Sequence, residues 1–147
     1  MDGLEKLKPI ALLFLRLGLG IIFIFHGYPK LFTHTQQTVE AFVKMGFPGY
    51  FAYIAGVLEF FGGIMLIVGL FTRIAGFLLA AEMAVALVKV HGLLSNPMNV
   101  HNYEFPLACA VGSFALVGVG AGLISLDQAI YSKRAGFPRK ARNKGRD

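Results

Sequence analysis

Apolar residues run along this chain in four long segments, separated by polar or turn-rich stretches. Each segment is about 19 to 24 residues long, which as an α-helix matches a hydrocarbon core roughly 30 Å thick. The pattern therefore predicts four transmembrane helices, at about residues 9–32, 50–71, 73–91 and 105–126. The first segment has the basic flank of a signal peptide, but it is too long and no small-residue cleavage site follows, so we expect it to remain as a helix.

The connections between the segments differ in kind. The short sequence GLFTR separates the second segment from the third and predicts a tight helical hairpin. The stretches His34–Gly49 and Gly92–Glu104 are longer and polar, and they are predicted to be loops. Together these features predict an all-α membrane protein with a single four-helix bundle over residues 1–131 and a tail over residues 132–147.

The composition supports this class and narrows the partners. Hydrophobic residues make up 56% of the 147 residues and charged residues 15%, whereas soluble domains carry about 25% charged residues. The formal net charge is +6, but seven of the fourteen Lys and Arg residues lie in the last sixteen positions. The excess charge therefore belongs to a tail, and a nucleic-acid partner is not expected. We expect this tail to be disordered and solvated, or attracted to anionic lipid.

The basic residues also predict an orientation. Lys6, Lys8 and Arg73 lie on the same side of the predicted bundle as the basic tail, whereas the two long loops contain only Lys44. Basic loops stay on the cytoplasmic side of a membrane. Both termini are therefore predicted to face the cytoplasm, in a cytoplasmic (inner) membrane of bacterial type.

Charged residues inside the apolar segments point to a polar interior. Glu59 and Glu82 each lie about nine residues into a predicted helix, too deep to reach an interface easily. A charge at mid-membrane costs about 2.5 to 3.5 kcal/mol on insertion scales and normally faces the bundle interior. Lys89 returns to the face of Glu82 seven positions later, and His26 and Lys30 share a face of the first helix.

These positions predict a polar funnel that opens away from the cytoplasm and narrows towards the middle of the bundle. Its outer end is expected to hold four residues near helix ends: Lys30, Lys89, His91 and Glu104. Three residues are expected to reach deeper: His26, Glu59 and Glu82. In such a funnel Lys30 can reach water, whereas His26 needs a partner such as Glu59 or Glu104.

Simpler interpretations of some polar residues remain open. Arg16 lies about one and a half turns from the cytoplasmic end and is expected to snorkel to the interface. Lys30 can snorkel outwards in the same way. Glu59 can instead be protonated and hydrogen-bonded between two closely packed helices, because small residues surround it on the helix. These residues are Gly56, Gly62 and Gly63.

Four blocks of sequence, taken in order, resemble the DoxX family of small membrane proteins. They are LRLGLGIIFIFHGYPKLF, EFFGGIMLIVGLFTR, NYEFP and the closing GAGLISLD, and the resemblance extends from about Arg16 to Asp127. The family often has Gly at the position of Thr33, and Pro at the position of Ala121, but neither difference touches a polar candidate. The resemblance implies a four-helix membrane bundle in which the matching residues are Arg16, His26, Gly27, Lys30, Glu59, Arg73 and Glu104.

The resemblance also implies redox-linked chemistry. Some relatives are described as the membrane subunit of a thiosulfate:quinone oxidoreductase, and others as partners of thiol or oxidative-stress enzymes. Quinone carbonyls need hydrogen-bond donors, which His26 with Lys30 or Lys89 can supply. Quinol formation needs protons, which Glu59 or Glu82 can relay. We therefore expect a quinone-interacting membrane subunit of an oxidoreductase system linked to sulfur or thiol chemistry.

Electrons would have to come from outside this chain, from a substrate or a partner subunit. The single cysteine, Cys109, excludes a CxxC pair, and no nucleotide-binding glycine motif is present. Haem is the least favoured cofactor, because His26 and His91 lie near one membrane surface without a supporting motif. No metal site is predicted. Two other classes of function remain open: a binding or assembly module for a lipid or a partner protein, and a pathway for protons or small solutes.

Overall fold

The computed structural model describes residues 6–95 and 97–134, and every regular element within these ranges is helical. The helices are α1 (Lys8–Tyr28), α2 (Thr35–Lys44), α3 (Tyr50–Val68), α4 (Thr72–Lys89), α5 (Glu104–Val119) and α6 (Leu126–Arg134). A π-helical turn, Pro29–Thr33, continues α1, and a short 3-10 turn, Val100–Asn102, precedes α5. The predicted all-α class is confirmed.

Within the described ranges, two helices are long and apolar enough to cross a membrane. They are α1 with its π-helical turn, Lys8–Thr33, and α3, Tyr50–Val68. The remaining two predicted segments differ from these: α4 carries Arg73, Glu82 and Lys89 within 18 residues, and α5 is apolar but only 16 residues long. By length and composition, two of the four predicted transmembrane segments thus qualify as membrane-spanning helices.

The fourth predicted segment, 105–126, is shorter than expected. α5 ends at Val119 because Gly120 and Gly122 have φ angles of +81° and +79°, which favour glycine and interrupt the helix. The chain then enters α6, whose residues up to Arg134 were predicted in part to belong to a disordered tail. The rest of that predicted tail, residues 135–147, lies outside the described residues.

The segment 34–49 was predicted to be a loop, and this prediction was wrong because it contains α2. The helix is amphipathic, with Val39 and Val43 on one face and Gln36 and Glu40 on another. The apolar face packs where the chain turns into α3, since a Cβ atom at Gly49 would lie 2.8 Å from Cγ1 of Val39. This segment is therefore a helix packed into the fold.

Helix packing depends on glycines at the contact between α1 and α3. A Cβ atom on Gly20 would lie 2.7 Å from the carbonyl oxygen of Gly63, and a Cβ atom on Gly63 would lie 2.7 Å from that of Gly20. Because glycine has no Cβ atom, the two backbones can approach closely. α1 packs most extensively on α3, and α4 on α5. The buried core consists of Leu19, Phe23, Leu66, Ala75, Leu79, Met83, Cys109 and Leu116.

Arg16 lies inside the bundle, so the expectation that it snorkels to the interface was wrong. The residue is 1% exposed. Its guanidinium donates hydrogen bonds to the carbonyl oxygens of Ala121, at 2.5 Å, and Ile124, at 2.8 Å. The turn after α5 folds back under α1 and supplies these acceptors. Arg16 thereby ties the end of the bundle to its first helix.

The hairpin between α3 and α4 is the expected tight turn, and a distant carboxylate caps it. Gly69 and Phe71 have φ angles of +69° and +49° in this turn. Asp127, at the start of α6, accepts hydrogen bonds from the backbone N–H groups of Phe71, at 2.7 Å, and Thr72, at 2.9 Å. A carboxylate at the N-terminus of α4 accepts from backbone N–H groups that have no partner within the helix, and its negative charge interacts favourably with the helix dipole. The end of the second sequence block, GLFTR, and the closing block, GAGLISLD, thus meet in space.

The outer surface of the bundle is apolar on all four long helices. Phe14 of α1, Phe61 of α3, Phe77 of α4 and Phe114 of α5 are each more than half exposed. Soluble proteins rarely leave large apolar patches in contact with water. Such a surface suits a lipid environment.

Candidate functional site

A cavity of about 780 Å³ lies between α1, α2, α3, α4 and α5. Its volume falls within the range of about 300 to 1,000 Å³ for small-molecule sites. Most of the wall is aliphatic or aromatic, and five of the seven predicted site residues interrupt it. These five are His26, Lys30, Glu59, Glu82 and His91.

Glu59 and Lys30 form an ion pair in this cavity. Glu59 is 2% exposed, and the Nζ of Lys30 lies 2.5 Å from its Oε2. The carboxyl is therefore buried and faces the extension of α1, as expected from the sequence, with a lysine as its hydrogen-bond donor.

The backbone around Lys30 explains how its side chain reaches Glu59. Lys30 lies in the π-helical turn, which the N–H of His34 closes by donating to the carbonyl of Pro29 at 2.7 Å. The stem of Lys30 crosses Gly56 of α3, where a Cβ atom would lie 3.1 Å from the Cβ of Lys30. π-helical turns are rare and often occur at functional sites. The turn and the glycine together position the ammonium inside the bundle.

Glu82 brings a second carboxyl to the cavity from α4. Its Oε2 atom is buried and has no hydrogen-bond partner among the described residues. Glu59 and Lys30 line the same cavity. Glu82 thus presents a carboxyl oxygen whose hydrogen-bonding capacity no described residue meets.

Two histidines complete the polar lining. The ring of His26 faces the cavity, with its centroid 5.3 Å from that of Phe105. The expected partners of His26 are engaged elsewhere, because Glu59 binds Lys30 and Glu104 lies beside His101. No described residue forms a hydrogen bond with His26, so the expected pairing was wrong. His91, just beyond α4, lines the same cavity.

Lys89 and Glu104 do not line the cavity, which corrects two of the predicted site residues. The helical period from Glu82 holds as far as Lys89, the last residue of α4, but the side chain of Lys89 is exposed, and Val90 and His91 line the cavity instead. Glu104 is exposed at the start of α5, with its Oε1 3.3 Å from Nδ1 of His101.

Residues of α2 and the chain after it form a wall that the sequence analysis missed. They are Gln37, Thr38, Ala41, Phe42, Met45 and Phe47. The amphipathic period of α2 is the signal that could have revealed them. Cys109 of α5, buried in the core, also lines the cavity. Among the described residues, no group of three or more His, Cys, Asp and Glu side chains is placed to hold a metal ion.

Comparison with known proteins gives one family and several relatives of similar length. The DoxX family profile matches residues 11–92, more than half of the chain. An uncharacterized protein of Haemophilus influenzae is 36% identical over 137 residues, covering 90% of this chain and 100% of that protein. The protein named "Putative oxidoreductase CatD" of Bacillus subtilis is 33% identical over 128 residues, covering 87% and 92%. "Inner membrane protein YqjF" of Escherichia coli is 28% identical over 132 residues, covering 88% and 99%. No solved structure matches the chain.

Proposed function

This chain belongs to the DoxX family of membrane proteins, and from that premise we propose that it is a quinone-interacting membrane subunit of an oxidoreductase system linked to sulfur or thiol chemistry. The observation that carries the proposal is the largely apolar cavity into which Lys30, His26 and two carboxyls project. The name of the Bacillus subtilis relative, "Putative oxidoreductase CatD", agrees with this class.

The lining residues fit a quinone head group. Lys30 carries three N–H groups and donates one of them to Glu59, which leaves two for a ligand carbonyl. His26 has a free ring and can donate as well. The aromatic and aliphatic wall suits a ring and an apolar tail. A bound quinone would supply the electron-accepting chemistry, while Glu59 and Glu82 would hold or pass on protons at their carboxyl oxygens.

This chain cannot deliver electrons through a pair of cysteines. It has one cysteine and hence no CxxC pair. Electrons therefore have to come from a substrate or from an oxidoreductase partner subunit. The membrane chain would provide the quinone site in such an assembly.

We also propose that all four long helices cross the bacterial inner membrane, with both termini in the cytoplasm. Arg73 and Lys89 lie at the two ends of α4, so Glu82 is its only charge at mid-span, and Glu82 lines the cavity. Exposed phenylalanines on each long helix suit lipid. α5 is short for a typical hydrocarbon core, which local thinning of the bilayer can accommodate. The name of the Escherichia coli relative supports the location.

A second candidate function is a lipid-binding module, which the mainly apolar wall of the cavity favours. The two candidates differ in the molecule that the cavity retains. A quinone absorbs in the ultraviolet and a quinone site binds a short-chain quinone analogue saturably, whereas a phospholipid lacks this absorption and a lipid site has no such affinity.

The test is the identity of the molecule that co-purifies with the protein in mild detergent. We expect a quinone in an amount close to that of the chain, displaced by a short-chain analogue in native mass spectrometry. Ala41→Phe fills the cavity from α2 and should abolish retention. Ala84→Phe, an exposed alanine of α4 that does not line this cavity, is the matched control. Retained phospholipid with no saturable binding of the analogue would favour the second candidate.

A further inference from the structure

Part of the cavity wall also belongs to the outer surface of the bundle. Ile54 of α3 and Val85 of α4 line the cavity, and they are 45% and 51% exposed. Such exposure can face the cavity, the surrounding lipid or both. The helix face on which each residue lies distinguishes these cases, because other residues of the same face show which way that face points.

Helix periodicity places both residues on lipid-facing sides of their helices. Ile54 lies seven residues before Phe61, almost two full turns, and therefore shares its face. Val85 lies eleven residues after Ile74, about three full turns, and shares the face of that residue. Phe61 and Ile74 are more than half exposed and do not line the cavity. The cavity thus reaches the outer surface between α3 and α4.

This opening begins where the two helices of the hairpin cease to touch. Near the hairpin they are in contact, because a Cβ atom on Gly62 would lie 3.2 Å from Cδ1 of Leu79, which is fully buried. About one turn further from the hairpin, Leu58 of α3 and Glu82 of α4 line the cavity instead. We call the opening the lateral gap, and its aliphatic walls are Ile54 and Leu58 of α3 and Leu78 and Val85 of α4.

A second seam of the cavity wall lies between α1 and α5, and side chains bridge it. The ring centroids of His26 and Phe105 are 5.3 Å apart across this seam. Further along, a Cβ atom on Gly112 of α5 would lie 3.2 Å from Cδ1 of Leu19 of α1. These contacts favour the lateral gap as the passage between the cavity and the lipid.

We propose that the lateral gap is the passage through which the ligand enters from the bilayer, and that it holds the apolar tail of the bound ligand. The inference rests on the proposed quinone site and specifies its substrate class: a quinone whose ring carries a long hydrocarbon tail. Lys30 and His26 bind the ring inside the bundle, while the aliphatic walls of the gap accept a tail that needs no hydrogen bonds. Lipid is as apolar as these walls, so the gap does not have to attract the tail and only has to let it pass.

Closing the gap should therefore discriminate between quinones with and without a tail. In Val85→Trp the tail has no way out of the cavity, so a tailed quinone should bind at least about tenfold more weakly, whereas the affinity of a short-chain quinone should change by less than about threefold. Ile54→Trp closes the gap from the other helix and should act in the same way. The matched control is Val88→Trp, because Val88 is exposed on α4 and does not line the cavity.

Affinities are measured by calorimetry on proteins in lipid nanodiscs of one composition. The tailed quinone then partitions into the lipid equally for every protein, so differences between proteins report the site. Folding of each variant is checked by circular dichroism.

A cross-linking experiment on wild type locates the tail directly and decides the question even if both variants fail to fold. A tailed quinone with a photoreactive diazirine in its tail is irradiated with the protein, and the labelled residues are identified by mass spectrometry. We expect labels on residues 51–58 of α3 and 78–85 of α4, and an excess of short-chain quinone should prevent them.

Several results would overturn the inference. Labels that the short-chain quinone prevents, but that fall on α1 and α5 or on α2, would place the tail elsewhere. Unchanged affinity for the tailed quinone in folded Val85→Trp and Ile54→Trp would show that the gap is not used. Wild type that binds the short-chain quinone but not the tailed one would refute the substrate class and leave the quinone function in place. If wild type binds neither, the proposed quinone function itself fails.

Discussion

Lys30 and Glu59 join the first and third helices of this bundle through an ion pair, with 2.5 Å between Nζ and Oε2. The two residues are far apart in sequence. The pair forms at the contact between α1 and α3, where glycines let the two helices approach closely. The side chain of Glu59 is 3% exposed and that of Lys30 is 23% exposed. A buried carboxylate needs such a partner, so the pair couples the polar lining of the cavity to the packing of α1 against α3.

The first prediction concerns the stability that depends on this pair. Lys30→Met should lower the free energy of unfolding by about 3 kcal/mol, because it leaves a buried carboxyl without its counter-charge. The double variant Lys30→Met/Glu59→Gln should recover most of this loss, since neither charge remains. Unfolding of detergent-solubilised protein by a denaturing detergent measures both. The exposed Lys44→Met is the control, and single and double variants of equal stability would contradict the prediction.

The apolar pattern and the depth of charged residues predicted much of the site. Glu59 lies where its mid-helix position and neighbouring glycines indicated, buried against the first helix. His26 and Lys30 reach the same cavity because the first apolar segment is long enough to carry both. These features follow from local sequence, since helix depth and helix face depend only on spacing.

The errors came from features that depend on tertiary structure or on a helix end. The burial of Arg16 requires carbonyl groups from residues more than a hundred positions later, which no local pattern shows. Lys89 was placed by its helical period, which gives a helix face but does not show that a long side chain at the helix end is exposed and lies outside the cavity wall. α2 was overlooked because ten amphipathic residues with many polar groups resemble a loop when only long apolar runs are sought.

The second prediction tests the close contact of α1 with α3. A Cβ atom on Gly27 would lie 2.9 Å from both the carbonyl oxygen of Gly56 and the Cα of Phe60, which are backbone atoms that cannot move aside. Gly27→Ala should therefore cost about 1 to 3 kcal/mol by forcing the helices apart. Gly18→Ala, on the same helix with no atom within 4 Å of the new Cβ, should be tolerated. Equal unfolding curves for the two variants would refute the contact.

The third prediction concerns Arg16. Arg16→Met should destabilise the bundle by about 3 kcal/mol, because two carbonyls lose donors from a charged group. Removal of a charge favours membrane insertion, so poorer insertion cannot explain a loss of stability. The stability of Arg16→Lys should lie between those of wild type and Arg16→Met, because an ammonium lacks the planar fork that reaches Ala121 and Ile124 together.

Two measurements check the role of Arg16. Denaturation gives the change in stability, and limited proteolysis should detect release of the turn at residues 120–125 in Arg16→Met. Wild-type behaviour of Arg16→Met in both measurements would restore the interpretation in which this side chain only snorkels to the interface.

The fourth prediction concerns topology. Both termini should lie in the cytoplasm, because Lys6, Lys8, Arg73 and the basic tail share one side, and the two long inter-helix stretches carry only Lys44. A reporter that is active only in the cytoplasm, fused after Asp147, should be active, and one inserted after Ser95 should be silent. A silent fusion after Asp147 together with an active insertion after Ser95 would reverse the proposed orientation of the cavity.

The last prediction concerns His26, which faces the cavity beside Phe105 and forms no hydrogen bond with any described residue. If its ring donates to a ligand head group, His26→Leu should bind a short-chain quinone analogue at least about tenfold more weakly, equivalent to about 1.4 kcal/mol. Leucine suits the helix and the membrane, so the variant should remain folded. The matched control is His34→Leu, because His34 is exposed and lies outside the cavity wall. Calorimetric titration of the three proteins separates the outcomes: equal affinities in equally folded wild type and His26→Leu would mean that His26 only packs against Phe105, and Lys30 alone would then have to supply the donor that a quinone carbonyl requires.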